Sequence, residues 1–362
     1  MIQRPPADIG QKLEEVDTPA LILDMDGFEK NQKTLFDLVK GRVRVRPHAK
    51  THKCPEVAKR QIGLGAVGMC CQKVSEAEAM VDGGVHDVLV SNEVVGARKL
   101  ARLAELSRRA KVGVCVDHAD NVRAIAATGA KLDIYIEIDV GMRRCGVAPG
   151  APAVALAREI LKHGLRFAGL QAYHGRAQHI RSMEERHAVI ETAAQHVQHT
   201  KRLLAEAGIA CPIVTGAGSG TFMLEVEAGA WNEIQCGSYA FMDVDYAKNE
   251  WAAPLPRFEH ALFVLSTVMS RPSAEVAIVD AGLKASSVDS GMPGVWQKEL
   301  RYTHASDEHG WVEGKNPPAL GEKLLLVPGH CDPTINLYDW YVCIRGGVVV
   351  DLWPITARGA LY

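Results

Sequence analysis

The sequence predicts an α/β protein: a (β/α)8 TIM-type barrel followed by a C-terminal β-rich domain. Between residues 42 and 237, eight short apolar runs recur, and seven of them are followed by a helical segment; that alternation is what a parallel barrel requires. The runs are nearly continuously apolar, as strands buried on both faces of a sheet are. From about residue 251 the rhythm changes to strands separated by turn residues, with no helix expected between them. An open doubly wound sheet is the competitor, but no Gly-x-Gly-x-x-Gly follows the first strand, which weakens it.

Taken in order, residues 1–17 read as a flexible lead and 18–24 as a short apolar strand. Asp26 is a candidate cap for a helix running to Lys40, with Gly41 ending it. Arg42-Val43-Arg44-Val45-Arg46 alternates with period two and reads as a strand. Pro47 ends its pairing, because proline has no N–H to give to a ladder. A helix is expected over 55–64. Strand and helix then alternate as 66–72 and 75–82, 87–92 and 96–109, 111–117 and 119–128, 132–139 and 151–163, and 165–173 and 182–208. The seventh and eighth strands are 212–216 and 233–237. Later strands are expected at 261–268, 275–279, 323–327, 341–345 and 348–353, with Arg345-Gly346-Gly347 a hairpin-like break. The organisation expected is therefore an N-terminal segment, 1–26, joining the β domain; a barrel, 27–250; and a β-rich domain, 251–362.

Composition narrows the function. Lys+Arg 41 against Asp+Glu 43 gives a net charge of −2, which argues against nucleic acid or an anionic membrane as the main partner. Hydrophobic content of 47% and charged content of 23% are those of a globular protein. The polar start, MIQRPPADIGQKLEEVDTP, has no apolar core of a signal peptide, and no apolar run is long enough to span a bilayer. The nine cysteines form no framework and read as reduced thiols of a cytoplasmic protein.

In a barrel of this kind the active site lies at the C-terminal ends of the strands. The polar residues expected there are Lys50, Gln72, Asn92, Asp117, Asp139, Arg144, Tyr173, His174, Thr215 and Ser238. Asn92 and Asp117 also read as helix caps. Lys50 sits among His48, His52 and Lys53; neighbouring cations disfavour the ammonium form, and a neutral lysine amine attacks aldehydes. The cluster read alone is equally a solvated basic loop. The loops Thr215-Gly216-Ala217-Gly218-Ser219-Gly220 and Cys236-Gly237-Ser238-Tyr239 follow strands seven and eight, where barrels of this class frequently bind phosphate. Glycine lets backbone N–H groups approach an anion, and hydroxyls complete the cradle. With Lys50, they suit a phosphorylated aldehyde such as pyridoxal 5′-phosphate. In the second domain, an extended Pro328-Gly329-His330-Cys331-Asp332-Pro333-Thr334 would point His330 and Asp332 to one side and Cys331 to the other. Such a pair can grip Mn²⁺, Mg²⁺ or Zn²⁺; a turn closed by an Asx bond before proline is the alternative.

The chain resembles the alanine racemase-type (fold-type III) pyridoxal-phosphate enzymes. Within them it is similar to the metal-activated D-threonine aldolase and 3-hydroxy-D-aspartate aldolase branch. The resemblance runs from Thr18 to Gly359 on RPHAKTHK (46–53), CCQKVSEAE (70–78), SNEVVG (91–96), RCGV (144–147), LQAYHG (170–175), QCGSYAFMD (235–243), DAGLK (280–284), DEHG (307–310) and PGHCDPT (328–334). It implies Lys50 as the Schiff-base lysine and Arg144 facing the pyridine nitrogen, where an arginine keeps its proton and weakens the ring as an electron sink. It implies His330 and Asp332 as metal ligands. Related D-serine dehydratases carry a cysteine two after the histidine; Asp332 in that place favours an aldolase. The expected reaction is retro-aldol cleavage of a D-3-hydroxy amino acid of D-threonine type to glycine and an aldehyde, with His179 or a metal-activated water as base. Gln72 and Tyr173 are expected to shape the pocket, with Thr215, Gly216, Gly218, Ser219, Gly220, Gly237, Ser238 and Tyr239 around the cofactor. Cleavage of 3-hydroxy-D-aspartate, with Arg176 reading its β-carboxylate, stays open, as do dehydration, racemisation and cofactor storage. A homodimer is implied.

Overall fold

The computed structural model describes residues 3–362. Its strands are β1 (Ala20–Asp24), β2 (Arg44–Val45), β3 (Met69–Cys71), β4 (Asp87–Glu93), β5 (Lys111–Val116), β6 (Asp133–Glu137), β7 (Arg166–Ala172), β8 (Ile213–Gly216) and β9 (Glu233–Ile234). The remaining strands are β10 (Leu262–Ser270), β11 (Val276–Val279), β12 (Gly294–Val295), β13 (Leu300–Ala305), β14 (Gly310–Gly314), β15 (Lys323–Val327), β16 (Trp340–Arg345) and β17 (Val348–Pro354). Strands β2 to β9 pair in parallel in the order β2-β9-β8-β7-β6-β5-β4-β3. The ring closes between β2 and β3, where His48 bridges to Cys70 and the Cys70 N–H donates to the Pro47 carbonyl at 2.8 Å.

The helices that surround the barrel include α1 (Met25–Val39), α2 (Ala49–His52), α3 (Pro55–Gly63), α4 (Val74–Asp82), α5 (Ala97–Leu106), α6 (Ala119–Ala126), α7 (Ala151–Lys162) and α8 (Met183–Glu206). The longer ones bury apolar stripes, as Leu100, Leu103 and Leu106 do in α5 and Ile190, Ala194 and Val197 in α8. Shorter helices follow: α9 (Phe222–Ala228), α10 (Val244–Ala247) and, in the C-terminal part, α11 (Cys331–Ile335).

The nine strands outside the barrel form a second sheet in the order β11-β14-β13-β12-β15-β10-β1-β16-β17, and β11 also pairs with β10. β1 lies in its middle, antiparallel to β10 and parallel to β16. Among the described residues no helix is long and apolar enough to cross a membrane.

Several local expectations change. Asp24, not Asp26, caps α1, accepting from the Asp26 and Gly27 N–H groups. Asn92 lies inside β4 and donates to the Gln72 carbonyl. Gly96 occupies the cap of α5, and His118, not Asp117, caps α6. Asp117 instead accepts from the Gly146 N–H at 3.0 Å. The C-terminal sheet holds three strands that were not expected, β12, β13 and β14, and the DEHG motif lies at the turn joining the last two. Finally, 331–335 is a helical turn and not extended chain.

Candidate active site

Lys50 stands one residue inside α2, a single helical turn that begins where Pro47 has ended β2. His48 caps this turn. The His48 ring is buried and is held by Gln72 Nε2 at 3.0 Å and Ser91 Oγ at 3.2 Å. Burial, then the Lys50 charge, pushes its pKa well below the usual histidine range. Gln72 is itself fixed by the Glu76 carboxylate, which accepts from the Gln72 N–H at 2.6 Å and pairs with the buried Lys53.

These residues open onto a cavity of about 400 Å³ at the C-terminal mouth of the barrel. Lys50, Gln72, Arg144, Tyr173, Gly218, Ser219, Gly237, Ser238, His179, His330 and Asp332 all line it. Thr215, Gly216, Gly220 and Tyr239 do not. Thr215 is buried inside the barrel and accepts from Gln235 Nε2 at 2.8 Å. Gly216 packs on the Ala172 carbonyl, and the Gly220 N–H donates to Gln178 Oε1 at 2.9 Å. The Tyr239 hydroxyl turns away into the core beside Gln32 and Gln61. The lining also includes Ser91, Gln171, Gln235 and Tyr246; the first three lie in the motifs quoted above, though no site role was expected of them, and Tyr246 lies outside every motif.

The glycine loops are tightly built. A Cβ on Gly237 would lie 2.4 Å from Thr51 Oγ1, and one on Gly218 would lie 2.5 Å from Gln178 Oε1. Ala217 holds the left-handed conformation at φ +67°. The Gly218 and Ser219 N–H groups find no acceptor among the described residues, so two free donors stand beside two hydroxyls on that wall. That donor set fits a phosphate, with the Lys50 amine in the same cavity to take an aldehyde.

Lys50 pairs with Asp332. Burial works against the Lys50 charge, but Asp332 outweighs it and the pKa is raised. Crowding by cations therefore does not set its ionisation in this structure; the carboxylate brought from the other sheet does. Burial likewise pushes Asp332 up, yet Lys50 and His330 hold it well below the usual carboxylate range. His330 Nδ1 lies 2.8 Å from Asp289 Oδ2, which leaves Nε2 as its free ring donor. A histidine ring nitrogen and a carboxylate lining one cavity fit a divalent metal. Cys331 is buried in the core, its N–H donating to Asp243 at 3.0 Å. His330 and Asp332 thus share the cavity because a helical turn starts at Cys331, and strand alternation plays no part.

His179, which lines the same cavity, ends a 3₁₀ turn, Gly175–His179. Its Nδ1 is 2.5 Å from Asp245 Oδ2, and Arg181 holds the other oxygen of that carboxylate. The Asp245 N–H in turn donates to the Gly329 carbonyl at 3.2 Å, so the His179 partner and the His330 loop are one assembly. Arg176 lines the cavity from the same turn.

Residues 23–245 match the family of the alanine racemase N-terminal domain, and residues 261–344 match a putative serine dehydratase domain. Fold, cavity and these matches define the class: alanine racemase-like barrels of the pyridoxal-phosphate-dependent type. A D-threonine aldolase of Arthrobacter sp is 49% identical over 98% of this chain and 96% of its own. A 3-hydroxy-D-aspartate aldolase of Paracoccus denitrificans (strain Pd 1222) is 45% identical over 99% of this chain and 96% of its own. The crystal structure of D-threonine aldolase from Filomicrobium marinum superposes with a TM-score of 0.97 at 51% identity, covering 99% of this chain and 100% of that one. The chain belongs to the family of D-threonine aldolases and 3-hydroxy-D-aspartate aldolases, and that membership implies pyridoxal 5′-phosphate as its cofactor.

Proposed function

We propose that this protein cleaves D-3-hydroxy amino acids of D-threonine type, by a retro-aldol reaction, to glycine and an aldehyde. The observation that carries the reading is convergence. An amine (Lys50), a histidine held by a carboxylate (His179 with Asp245) and a histidine–carboxylate pair (His330 with Asp332) reach one cavity from separate parts of the chain. When bound there, pyridoxal phosphate supplies an electron sink for the pair left on Cα, and a divalent metal supplies a Lewis acid beside the substrate's β-hydroxyl.

The chain's own residues do the rest. Lys50 would hold the cofactor's aldehyde carbon. Gly218, Ser219, Gly237 and Ser238 would cradle its phosphate, Arg144 would stand toward its ring nitrogen as a group that keeps its proton, and Tyr173 walls the pocket. His330 Nε2 and Asp332 would hold the metal. His179 Nε2 takes the β-hydroxyl proton as the Cα–Cβ bond breaks, because Asp245 occupies Nδ1. Residues 27–250 then serve as the cofactor-holding barrel, and 251–362, joined by 1–26, bring the metal ligands. A homodimer in the cytoplasm is the assembly and location that go with this reading.

A second reading concerns the substituent on Cβ. Arg176 is exposed, lines the cavity and has no carboxylate partner among the described residues, whereas Lys50 pairs with Asp332. In a 3₁₀ turn, positions i and i+3 eclipse, so Arg176 and His179 share a face. That favours a β-carboxylate, as in 3-hydroxy-D-aspartate. Arg176→Ala should lower kcat/KM on D-3-hydroxyaspartate by about tenfold or more, consistent with ~1.5–3 kcal/mol for a charge-assisted contact, and leave D-threonine cleavage within about twofold. Equal losses on both substrates would remove the assignment.

Product identity tests the main reading. Protein with pyridoxal phosphate, Mn²⁺ and D-threonine should yield glycine and acetaldehyde, and the glycine should disappear with EDTA. Ammonia and 2-oxobutanoate would make the protein a dehydratase and remove the role given to His179.

A further inference from the structure

Behind Arg144 lies a group of acids that the proposed reaction does not use. Glu93 ends β4, Asp117 follows β5, Glu137 ends β6, and Cys145 follows Arg144 in the loop after β6. Ligand atoms of Glu93, Asp117 and Cys145 all lie within 4.8 Å of one another. Glu137 is 4% exposed, and its Oε1 is 3.9 Å from Arg144 Nη2. A cation is the obvious occupant for such a group, but the Arg144 guanidinium already stands beside it.

Two details point elsewhere. Oxygens of Glu93 and Asp117 lie within 4.8 Å of each other beside the buried Glu137, and acids gathered out of water at such spacing hold on to a proton. Glu93 Oε1 is buried and finds no donor among the described residues. The loop carrying Arg144 is also pinned. Asp139 Oδ1 accepts from the Gly141 and Arg143 N–H groups at 2.9 and 3.0 Å, and Asp117 holds the Gly146 N–H. A Cβ on Gly146 would lie 2.7 Å from the Asp139 nitrogen. Arg144 is thereby confined between the Tyr173 ring, 5.9 Å from its guanidinium carbon, and Glu137.

We propose that Glu137, buried and neutral among these acids, is the positioning residue that keeps the Arg144 guanidinium over the cavity. The proposal rests on the cofactor reading above, in which Arg144 faces the ring. With the proton in place, Glu137 gives Arg144 a weak partner and leaves the guanidinium free to face the cavity. Without it, a full carboxylate draws Arg144 down onto the β4–β6 acids. Burial, then Glu93, lifts Glu137 to about 8, with Arg144 opposing and Asp117 adding to the rise. Cys145, pushed up to about 11 by burial and Glu93, stays a thiol through this range. Because the folded pKa is raised, Glu137 is neutral below about pH 8 and ionises above it.

The test is a pH series of pyridoxal phosphate dissociation constants, read by equilibrium dialysis and cofactor absorbance, with infrared spectra of the cofactor-free protein. Wild type should bind about tenfold more weakly at pH 9 than at pH 7, the loss of affinity that follows ionisation through a pKa near 8. Glu137→Gln, neutral at every pH and nearly isosteric, should flatten that dependence and remove a protonated-carboxyl band present in wild type near neutral pH. Glu93→Gln should move the fall in affinity to lower pH. Glu137→Ala should weaken binding throughout the range. A Glu137→Gln protein with the wild-type pH profile, or a wild type with no such band, would overturn the proposal. A wild type that shows the band but binds no pyridoxal phosphate would instead overturn the cofactor reading and the role given to Arg144.

Discussion

His179 and Asp245 are 66 positions apart, and no periodicity or motif pairs them. His179 enters as a candidate base only through the reaction that the family resemblance implies; its partner is visible only once α10 packs against the 3₁₀ turn. The carboxylate occupies Nδ1 and leaves Nε2 as the other ring nitrogen, the detail on which the proposed role of His179 as base depends. Asp245→Asn should lower kcat by about tenfold or more, within the range a general base contributes, with KM changed less than about threefold. Steady-state kinetics on D-threonine check this; an unchanged kcat would remove His179 from the proton transfer. Lys50 teaches a related lesson. Its neighbours in the chain are cations, but its nearest charge in space is Asp332, 282 positions away, and that carboxylate sets its ionisation.

Among the elements, the eight barrel strands were legible because burial on both faces makes each one an apolar run. Their ends were less so: 233–237 was expected as strand, but pairing stops at Ile234 and the remainder becomes the loop that lines the cavity. Strands β12 and β13 were missed because β12 is short and β13 is polar at alternate positions, as Arg301 and Thr303 illustrate. The loops carrying Gly218 and Gly237 were found by composition, but the reason for each glycine was not: it is the close approach of Gln178 and Thr51. Gly237→Ala should therefore displace Thr51 and the α2 turn. We expect a stability loss of ~1–3 kcal/mol, typical of overpacking, and weaker pyridoxal phosphate binding, measured by denaturant melts and absorbance titration. Wild-type affinity in a correctly folded Gly237→Ala protein would show that the contact between Thr51 of α2 and the loop after β9 does not shape the site.

At the scale of the molecule, the barrel is closed at its N-terminal end by a buried charge network. Arg46 bonds to Glu233 at 3.0 Å and to Asp87 at 2.6 Å, and Arg46 and Glu233 are both almost fully buried. Removing one member of such a pair leaves a buried charge short of a partner. Arg46→Ala should cost ~3–5 kcal/mol in chemical denaturation; a loss below about 1 kcal/mol would mean that Arg44 and water satisfy Glu233 unaided. The run Arg42-Val43-Arg44-Val45-Arg46 reads as a strand, but nothing local distinguishes an arginine bound for the barrel interior from one bound for solvent.

The barrel, the β-rich partner, the lysine after the first barrel strand and the histidine–aspartate pair near the end are all written in local pattern: the period of apolar residues, the place of a proline, the spacing of a motif. Which of those groups meet depends on how distant segments pack. Closure of β2 onto β3 puts Lys50, Gln72 and Ser91 on one rim. The helical turn at Cys331 turns His330 and Asp332 toward that rim from the second sheet. Asp245 and Glu137 were silent in the sequence for the same physical reason. A carboxylate's role is set by the charge and burial around it, and those come from chain segments distant in sequence.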